Sequence, residues 1–166
     1  MLPELSIIIV NYRSAELIIN CINSALCCPS AKEFEWIIVD NNSRDNSEKL
    51  IRTEFPFVQW LQMGYNSGFA RANNEGIRHA RGNVILLLNP DMIIIEDAIQ
   101  KCLNEFAVSP FAACSVQLLH KNGTPQITGS YFMRGSLNML FFLPYVGSGL
   151  KAVYSLFKSK NTTISY

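Results

Sequence analysis

With 166 residues and 49% hydrophobic content, the chain is long and apolar enough for one domain with a substantial core. Fourteen basic and thirteen acidic residues leave a formal net charge of +1, which gives no overall electrostatic support for a nucleic-acid partner. The five cysteines lack the spacing of a zinc site, and the N-terminus lacks the pattern of a signal peptide, so we expect a reduced, cytoplasmic protein.

Apolar runs alternate with amphipathic stretches along the first 120 residues. Five short runs predict β-strands, at residues 5–10, 36–39, 57–63, 84–88 and 112–119. Four stretches with apolar residues at helical spacing predict helices, at about residues 14–28, 46–55, 69–80 and 96–106. This order predicts an α/β fold with a mostly parallel sheet sandwiched by helices and joined by right-handed crossovers.

The periodicity also predicts which residues are buried. Helical spacing places Leu17 on the inward face of the first helix and Leu50 on that of the second. The run at 84–88 is apolar at every position, which is typical of a central strand covered on both faces. We interpret Gly82 as the stop signal of the third helix, and Gly76 as a position where a neighbouring element packs closely.

Polar side chains follow three of the predicted strands, at residues 11–12, 40–45 and 89–91. The carboxyl ends of parallel strands lie at one edge of a sheet, and ligands bind there in open α/β folds. The sequence therefore predicts one crevice lined from three strand ends.

Each of these side chains suits a role at such a crevice. The Tyr12 ring can stack on a flat ring, Asp40 can accept hydrogen bonds from a base or a sugar, and Asp91 can ligate Mg²⁺ or Mn²⁺. Each alone has a simpler interpretation, because Asp40 and Asn42 are common turn formers and Asn89-Pro90-Asp91 is a favourable turn tripeptide. Their joint placement at one edge favours the binding interpretation.

The segment that opens the third helix has two interpretations. Asn66 and Gly68 precede the helix, and Phe69, Asn73 and Ile77 fall on one helical stripe that we expect to be buried. The segment either forms a capping and packing motif or directs the free N–H groups of the helix toward a nucleotide's phosphates or sugar. We favour the second interpretation for the helix start.

Four segments, 6–12, 38–43, 66–76 and 88–91, resemble in order and spacing the amino-terminal half of glycosyltransferase family 2, whose members have the GT-A fold. The chain looks closest to the bacterial rhamnosyltransferase-like branch. The resemblance covers about residues 4–130, so we predict a nucleotide-sugar-binding half-domain at 1–130. The remainder, 131–166, would be an apolar tail on the acceptor side or near a membrane.

The resemblance implies an inverting transfer of a sugar, typically rhamnose, from dTDP-rhamnose or a UDP-sugar to a glycan or lipid-linked acceptor. It implies a divalent cation, Mg²⁺ or Mn²⁺, held by Asp91, the last residue of the family's Asp-x-Asp motif, whose first acid is here Asn89. It implies a donor site made by polar, aromatic and glycine residues: Asn11, Tyr12, Asp40, Asn42, Asn66, Gly68, Phe69, Asn73, Asn89 and Asp91.

The family's general base is not found in this chain, since residues 107–166 contain neither Asp nor Glu. We therefore expect the donor-binding half of an enzyme, with little or no transfer by this chain alone. The alternative is a non-catalytic remnant or interaction module that binds a partner chain or a membrane through residues 137–157. Contact with the inner face of the membrane stays open alongside the cytoplasmic location.

Overall fold

The computed structural model describes residues 2–126 of the chain. The chain divides at residue 114, so that the described residues fall into two units, 2–114 and 115–126, and the four-stranded sheet lies in the first. The elements in chain order are β1 (Leu5–Asn11), α1 (Ala15–Leu26), a 3₁₀ turn (Pro29–Lys32), β2 (Glu35–Asp40), α2 (Ser47–Glu54), β3 (Gln59–Gln62), α3 (Phe69–His79), β4 (Val84–Leu87) and α4 (Ala98–Ala107).

The sheet has the strand order β3-β2-β1-β4, and every neighbouring pair is parallel. The chain moves outward from β1 to β3 with α1 and α2 on one face, then returns to β4 with α3 on the other face. The third crossover runs in the opposite direction along the sheet and also on the opposite face, so all three β-α-β crossovers have the same handedness, as expected for βαβ units. The parallel α/β architecture predicted from the sequence is confirmed.

Alternate residues of the two central strands supply the two apolar layers. Ile7 and Ile9 of β1 face the layer under α1, α2 and α4, whereas Ile8 and Val10 face α3. Gly76 of α3 lies so close to the sheet that an added Cβ would be 2.5 Å from a methyl group of Ile8. The close packing predicted for Gly76 is therefore present.

Strand β4 differs from its prediction. Within residues 2–126 it pairs only with β1, and Ile85 and Leu87 on one of its faces are 38% and 49% exposed. An apolar run predicts a strand but not its place in the sheet. Here α3 packs over β1 and β2, so that face of β4 stays uncovered by the described residues.

Other predictions are also corrected. Leu17 and Leu50 are exposed, because the buried arcs of α1 and α2 are narrower than the apolar pattern suggests. The strand expected at 112–119 is not present: within the described residues, this segment has no extended run of strand pairing. In its place, Leu119 forms one antiparallel bridge with Pro125 around the turn at 121–123.

The segment 137–157 lies outside the described residues, so its predicted contact with a partner or a membrane stays a prediction. Among residues 2–126, every helix is too short or too polar to cross a bilayer.

At the edge of the sheet where the strands begin, opposite their carboxyl ends, a buried acid links neighbouring strands through hydrogen bonds. Glu35 at the start of β2 accepts hydrogen bonds from the Ser6 hydroxyl at 2.6 Å, and from the backbone N–H and Nε of Arg81 at 2.8 and 2.6 Å. Gly82 completes the cluster by donating its N–H to Ser6 Oγ at 2.8 Å. Because α3 ends at His79, Gly82 is not the stop signal of the helix; it is where the chain passes against the start of β1.

This cluster predicts acid-sensitive stability. Burial raises the pKa of Glu35, but the hydrogen bonds from Ser6 and Arg81 and the charge of Arg81 outweigh burial and hold the pKa below its usual 4.5. A lowered folded-state pKa stabilises the fold above the unfolded value, and this contribution is lost as the pH falls through the folded-state value. We expect Glu35→Gln to reduce the free energy of unfolding by about 2 kcal/mol at pH 7, and by clearly less at pH 3.

Urea denaturation of both proteins at the two pH values measures this difference. The matched control is Glu48→Gln, which breaks an exposed i,i+4 ion pair with Arg52 and should cost less than about 0.5 kcal/mol. An equal loss of stability at pH 7 and pH 3 would contradict the assignment.

Candidate functional site

Three strand exits lie next to one another at the carboxyl edge of the sheet. The strand order puts the end of β1 between the ends of β2 and β4, and the register places Asn11 opposite Asp40, and Asp40 opposite Gln62. Tyr12 therefore follows the central exit, with Asp40 on one side and Asp91, beyond β4, on the other. The structure brings the three predicted side chains to one edge.

Asn11 is fully buried and organises the first exit. Its amide nitrogen donates to Asp40 Oδ1 at 2.7 Å and to Ser43 Oγ at 3.0 Å. Its amide oxygen accepts from the backbone N–H and the hydroxyl of Ser14 at 3.1 and 3.0 Å. All these contacts are internal, so Asn11 shapes the edge from beneath the surface.

Asp40 is the most fully hydrogen-bonded carboxylate at this edge, and only 2% of its surface is exposed. Oδ1 accepts from Asn11 and from the Ser43 hydroxyl, the latter at 2.5 Å. Oδ2 accepts from the Ser43 N–H at 3.0 Å and from Gln62 Nε2 at 2.8 Å. Asn11 and Ser43 are buried whereas Gln62 is exposed, so only the Gln62 donor is free to move.

Tyr12 presents its ring to solvent, with 48% of the residue exposed. The guanidinium of Arg13 lies 5.6 Å from the centre of the ring, which is within the range of a cation–π contact. Arg13 has a positive φ of 56° and is fixed by hydrogen bonds from its N–H and Nε to Ser43 Oγ and O, at 3.0 and 3.3 Å. Ser43 thus links the Tyr12–Arg13 segment to the loop that follows β2.

Asn41 connects the β2 exit to the start of α3. Its buried amide accepts the Ser67 N–H at 2.8 Å and donates to Asn66 Oδ1 at 2.9 Å, and Asn66 Oδ1 also accepts the Gly68 N–H at 3.1 Å. Gly68 has φ +83°, a conformation that favours glycine, and within the described residues no side chain caps the helix. The first N–H groups of α3 are thus held at the same edge as Tyr12 and Asp40.

The expected buried stripe on α3 is only partly present. Asn73 is buried and donates to the Phe69 carbonyl at 3.1 Å, so its amide nitrogen is satisfied. Phe69 and Ile77 are exposed, because α3 meets the sheet through Ala72, Asn73 and Gly76 instead. The prediction that the whole stripe is buried is wrong.

The turn after β4 exposes both Asn89 and Asp91. It packs on α1, where the Cys21 thiol lies 4.0 Å from the Asn89 carbonyl. Burial, and then the nearby charge of Asp91, raise the pKa of Cys21 to about 11, so the thiol stays protonated at neutral pH. Within residues 2–126 no cluster of three or more His, Cys, Asp or Glu side chains is present. Asp91 and the Asn89 amide are the protein groups that this turn offers to a cation.

A cleft of about 350 Å³ opens between the loop after β2 and the end of β3. It is lined by charged, amide and apolar side chains, including Asp40, Asn42, Arg44, Trp60 and Gln62. Asn42 adopts a positive φ of 66° and accepts a hydrogen bond from Arg44 Nε at 3.3 Å. The cleft gives the buried Asp40 carboxylate an approach from the β3 side.

Sequence reasoning missed three residues of this edge: Asn41, Ser43 and Gln62. Asn41 and Ser43 belong to the polar run after β2. That run identified the segment as part of the site, but it did not indicate which of its side chains turn inward. Gln62 carried no signal, because a single glutamine at the end of a weak strand is common on protein surfaces.

Comparison with known proteins identifies relatives. The sequence profile described as Glycosyl transferase family 2 matches residues 6–158. The chain is 32% identical over 129 residues to the low-salt glycan biosynthesis hexosyltransferase Agl10 of Haloferax volcanii, covering 75% of the chain and 40% of that protein. It is 31% identical over 137 residues to the chondroitin synthase of Pasteurella multocida, covering 81% of the chain and 14% of that protein. The chain thus spans less than half the length of either relative.

Solved structures share the fold. The mannosyltransferase PcManGT from Pyrobaculum calidifontis, in complex with GDP-Man and Mn²⁺, superposes with a TM-score of 0.58 at 20% identity, covering 66% of this chain and 34% of that one. S. aureus TarS 1-349 in complex with UDP-GlcNAc superposes with a TM-score of 0.54 at 26% identity, covering 62% of this chain and 30% of that one. The α/β architecture is therefore that of the GT-A glycosyltransferases.

Proposed function

The chain belongs to glycosyl transferase family 2, and we propose that it forms the donor-binding part of an inverting enzyme that transfers a sugar from a nucleotide sugar. The observation that carries this proposal is the convergence of Tyr12, Asp40 and Asp91 at one edge of a parallel sheet. An aromatic ring, a hydrogen-bonded carboxylate and an exposed acid match, in turn, the face of the base, the edge of the base and the diphosphate with its cation.

In this proposal Tyr12 stacks on the nucleobase, and Asp40 accepts a hydrogen bond from the base edge. The start of α3, which includes Gly68 and Phe69, directs its N–H groups at the donor's phosphates or sugar. Asn11 and Asn73 act from buried positions, whereas Asn42 and Asn66 line the loops beside the site.

A divalent cation fits the turn after β4. Magnesium and manganese sites of this kind use one or two carboxylates and complete their coordination with substrate phosphates and water. Asp91 supplies an exposed carboxylate and Asn89 a neutral amide oxygen, so the donor's diphosphate would supply much of the remaining coordination. When bound, the cation would stabilise the negative charge of the departing diphosphate.

The donor sugar and the acceptor are the finer part of the proposal. We propose rhamnose, carried on dTDP, on the basis of the Asn89-Pro90-Asp91 turn, and a glycan or lipid-linked acceptor in the cytoplasm. The affinities of the chain for dTDP-rhamnose, UDP-GlcNAc and GDP-mannose, measured side by side with Mn²⁺, test the choice of donor, because the neighbouring structures contain UDP-GlcNAc and GDP-Man.

Catalysis needs a base that this chain does not supply after Glu105, since residues 106–166 contain no carboxylate side chain. We propose that the chain binds donor and transfers little sugar by itself. Activity would then depend on a carboxylate supplied by a further segment or a partner chain, consistent with the 40% coverage of the Haloferax hexosyltransferase.

Titration of dTDP and UDP, with and without Mn²⁺, tests the site. We expect Mn²⁺ to strengthen nucleotide binding at least tenfold, and Asp91→Asn to abolish that gain because the amide offers the cation no charge. Isothermal titration calorimetry measures both affinities. The control is Glu105→Gln, which removes an exposed acid on α4 and should leave the Mn²⁺ effect unchanged.

Asp40→Ala extends the same experiment to the base end of the site, where it should weaken nucleotide binding with or without Mn²⁺. Unchanged binding in both the Asp91 and the Asp40 variants would remove the assigned site.

A further inference from the structure

Gln62 donates the hydrogen bond to Asp40 that an incoming base would have to replace. Of the donors to the Asp40 carboxylate, those of Asn11 and Ser43 are buried within the sheet edge. Gln62 Nε2, 2.8 Å from Asp40 Oδ2, belongs to an exposed side chain that lines the cleft of about 350 Å³. A ligand N–H can therefore take the Oδ2 position by displacing Gln62 alone.

The displaced amide is kept beside the site. Gln62 Nε2 also donates to the Met63 carbonyl at 3.0 Å, and the Trp60 indole lies 3.4 Å from Gln62 Oε1. Since one N–H of the amide can stay on the Met63 carbonyl, the other is available to a ligand group that binds next to Asp40 Oδ2. The exchange costs little if the ligand offers Gln62 an acceptor in return, because no polar group is then left unpaired.

Three residues at the ends of neighbouring strands determine the order in which a bound base would meet them. Tyr12 follows β1, Asp40 ends β2 and Gln62 ends β3, and the three strands are neighbours in that order. A base stacked on Tyr12 directs its hydrogen-bonding edge across Asp40 toward Gln62. Its ring nitrogen then meets an acceptor, and the adjacent exocyclic group meets a donor.

We propose that Gln62, together with Asp40, selects donors whose base presents a ring N–H beside a carbonyl, as in uracil, thymine and guanine. Cytosine and adenine have the reverse order, with a ring lone pair beside an amino group. In the same pose they would place a lone pair against the carboxylate and an N–H against the Gln62 N–H, and both groups would lose their partners. This inference rests on the proposed function and names the nucleotide class of that site.

Competition among UDP, dTDP, GDP, CDP and ADP, each with Mn²⁺, tests the proposal on the whole chain. We expect UDP, dTDP and GDP each to bind at least tenfold more tightly than CDP and ADP, because all three bases present a ring N–H beside a carbonyl. In Gln62→Leu, which keeps a side chain of similar bulk but removes the donor, UDP should bind about tenfold more weakly, and its advantage over CDP should fall to threefold or less.

The control is Gln59→Leu, a glutamine of the same strand that pairs opposite Ile37, away from the strand exits. It should leave all five affinities unchanged. Thermal unfolding of both variants shows that the fold is retained, as expected for the exposed Gln62.

The two kinds of failure are distinguishable. A wild-type chain that binds none of the nucleotides would overturn the proposed function, and this inference with it. A chain that binds UDP but binds CDP equally well, or a Gln62→Leu variant that keeps the full preference, would overturn the role of Gln62 alone.

Discussion

Asn11→Asp is expected to destabilise the fold by about 4 kcal/mol at pH 7, although the substitution exchanges one amide nitrogen for an oxygen. That nitrogen donates to Asp40 Oδ1 at 2.7 Å and to Ser43 Oγ at 3.0 Å, and the residue is fully buried. The change turns a hydrogen bond into a contact between two carboxylates and leaves Asp40 without one of its donors.

The dependence on pH distinguishes charge repulsion from a loss of packing. Side-chain volume hardly changes, so the destabilisation should shrink as the pH falls toward 4, because protonation of the introduced acid removes its repulsion of Asp40. Urea denaturation followed by circular dichroism between pH 4 and 8 measures this recovery.

Asn42→Asp is the matched control, because Asn42 lies two residues after Asp40 on the same loop but is partly exposed and hydrogen-bonds only to Arg44 among the described side chains. It should change the free energy of unfolding by less than about 0.5 kcal/mol. If Asn11→Asp were as stable as the wild type at pH 8, the buried Asn11–Asp40 contact would not exist in solution.

The sequence predicts the parallel sheet because each strand and helix carries its own local signal. The runs at β1 and β2 are continuous and apolar, and Pro29 and Pro56 mark where the helices before them stop. Parallel pairing then follows from the alternation of strands and helices, and it brings the three polar strand ends to one edge.

The position of β4 and the exposure of Leu17 and Leu50 were not predictable in the same way. A local pattern gives the hydrophobicity of a side chain, but burial depends on which elements from distant parts of the chain cover it. For β4 the cover would have to come from outside the described residues, since α3 lies over β1 and β2.

The sequence predicted which segments form the candidate site, but it did not predict the hydrogen-bond network within the site. Tyr12 and Asp91 follow strands and are exposed, as expected of groups that meet a ligand. Asn41 and Ser43 share the polar run with Asp40 but turn inward, and the direction of each side chain depends on backbone dihedrals such as the positive φ of Asn42 and Arg44. Composition alone does not encode those dihedrals.

Gly82→Ala is the second substitution with a large expected effect, about 3 kcal/mol of destabilisation at pH 7. An added Cβ would lie 2.6 Å from the Ser6 backbone nitrogen and 2.8 Å from the Leu5 carbonyl carbon. Backbone atoms of a central strand cannot rotate away as a side chain can. Ser6 is held in register by Glu35 of β2 on one side and Ile85 of β4 on the other.

The strain should therefore be relieved at β4, the strand that Gly82 leads into. Moving the chain at Gly82 away from β1 would lengthen its hydrogen bond to Ser6 Oγ, now 2.8 Å, and weaken the bond from the Val84 N–H to the Glu4 carbonyl, now 3.1 Å. Hydrogen exchange should show faster exchange at the β4 amides, with those of the β1–β2 pair less affected.

Gly64→Ala supplies the matched control, because nothing lies within 4 Å of a Cβ added at Gly64. It should leave the free energy of unfolding within about 0.5 kcal/mol of the wild type, or slightly above it, since alanine restricts the unfolded chain. If both glycine variants unfolded at the same urea concentration, the loop at Gly82 would have room to move, and the close approach to β1 would not be what requires glycine there.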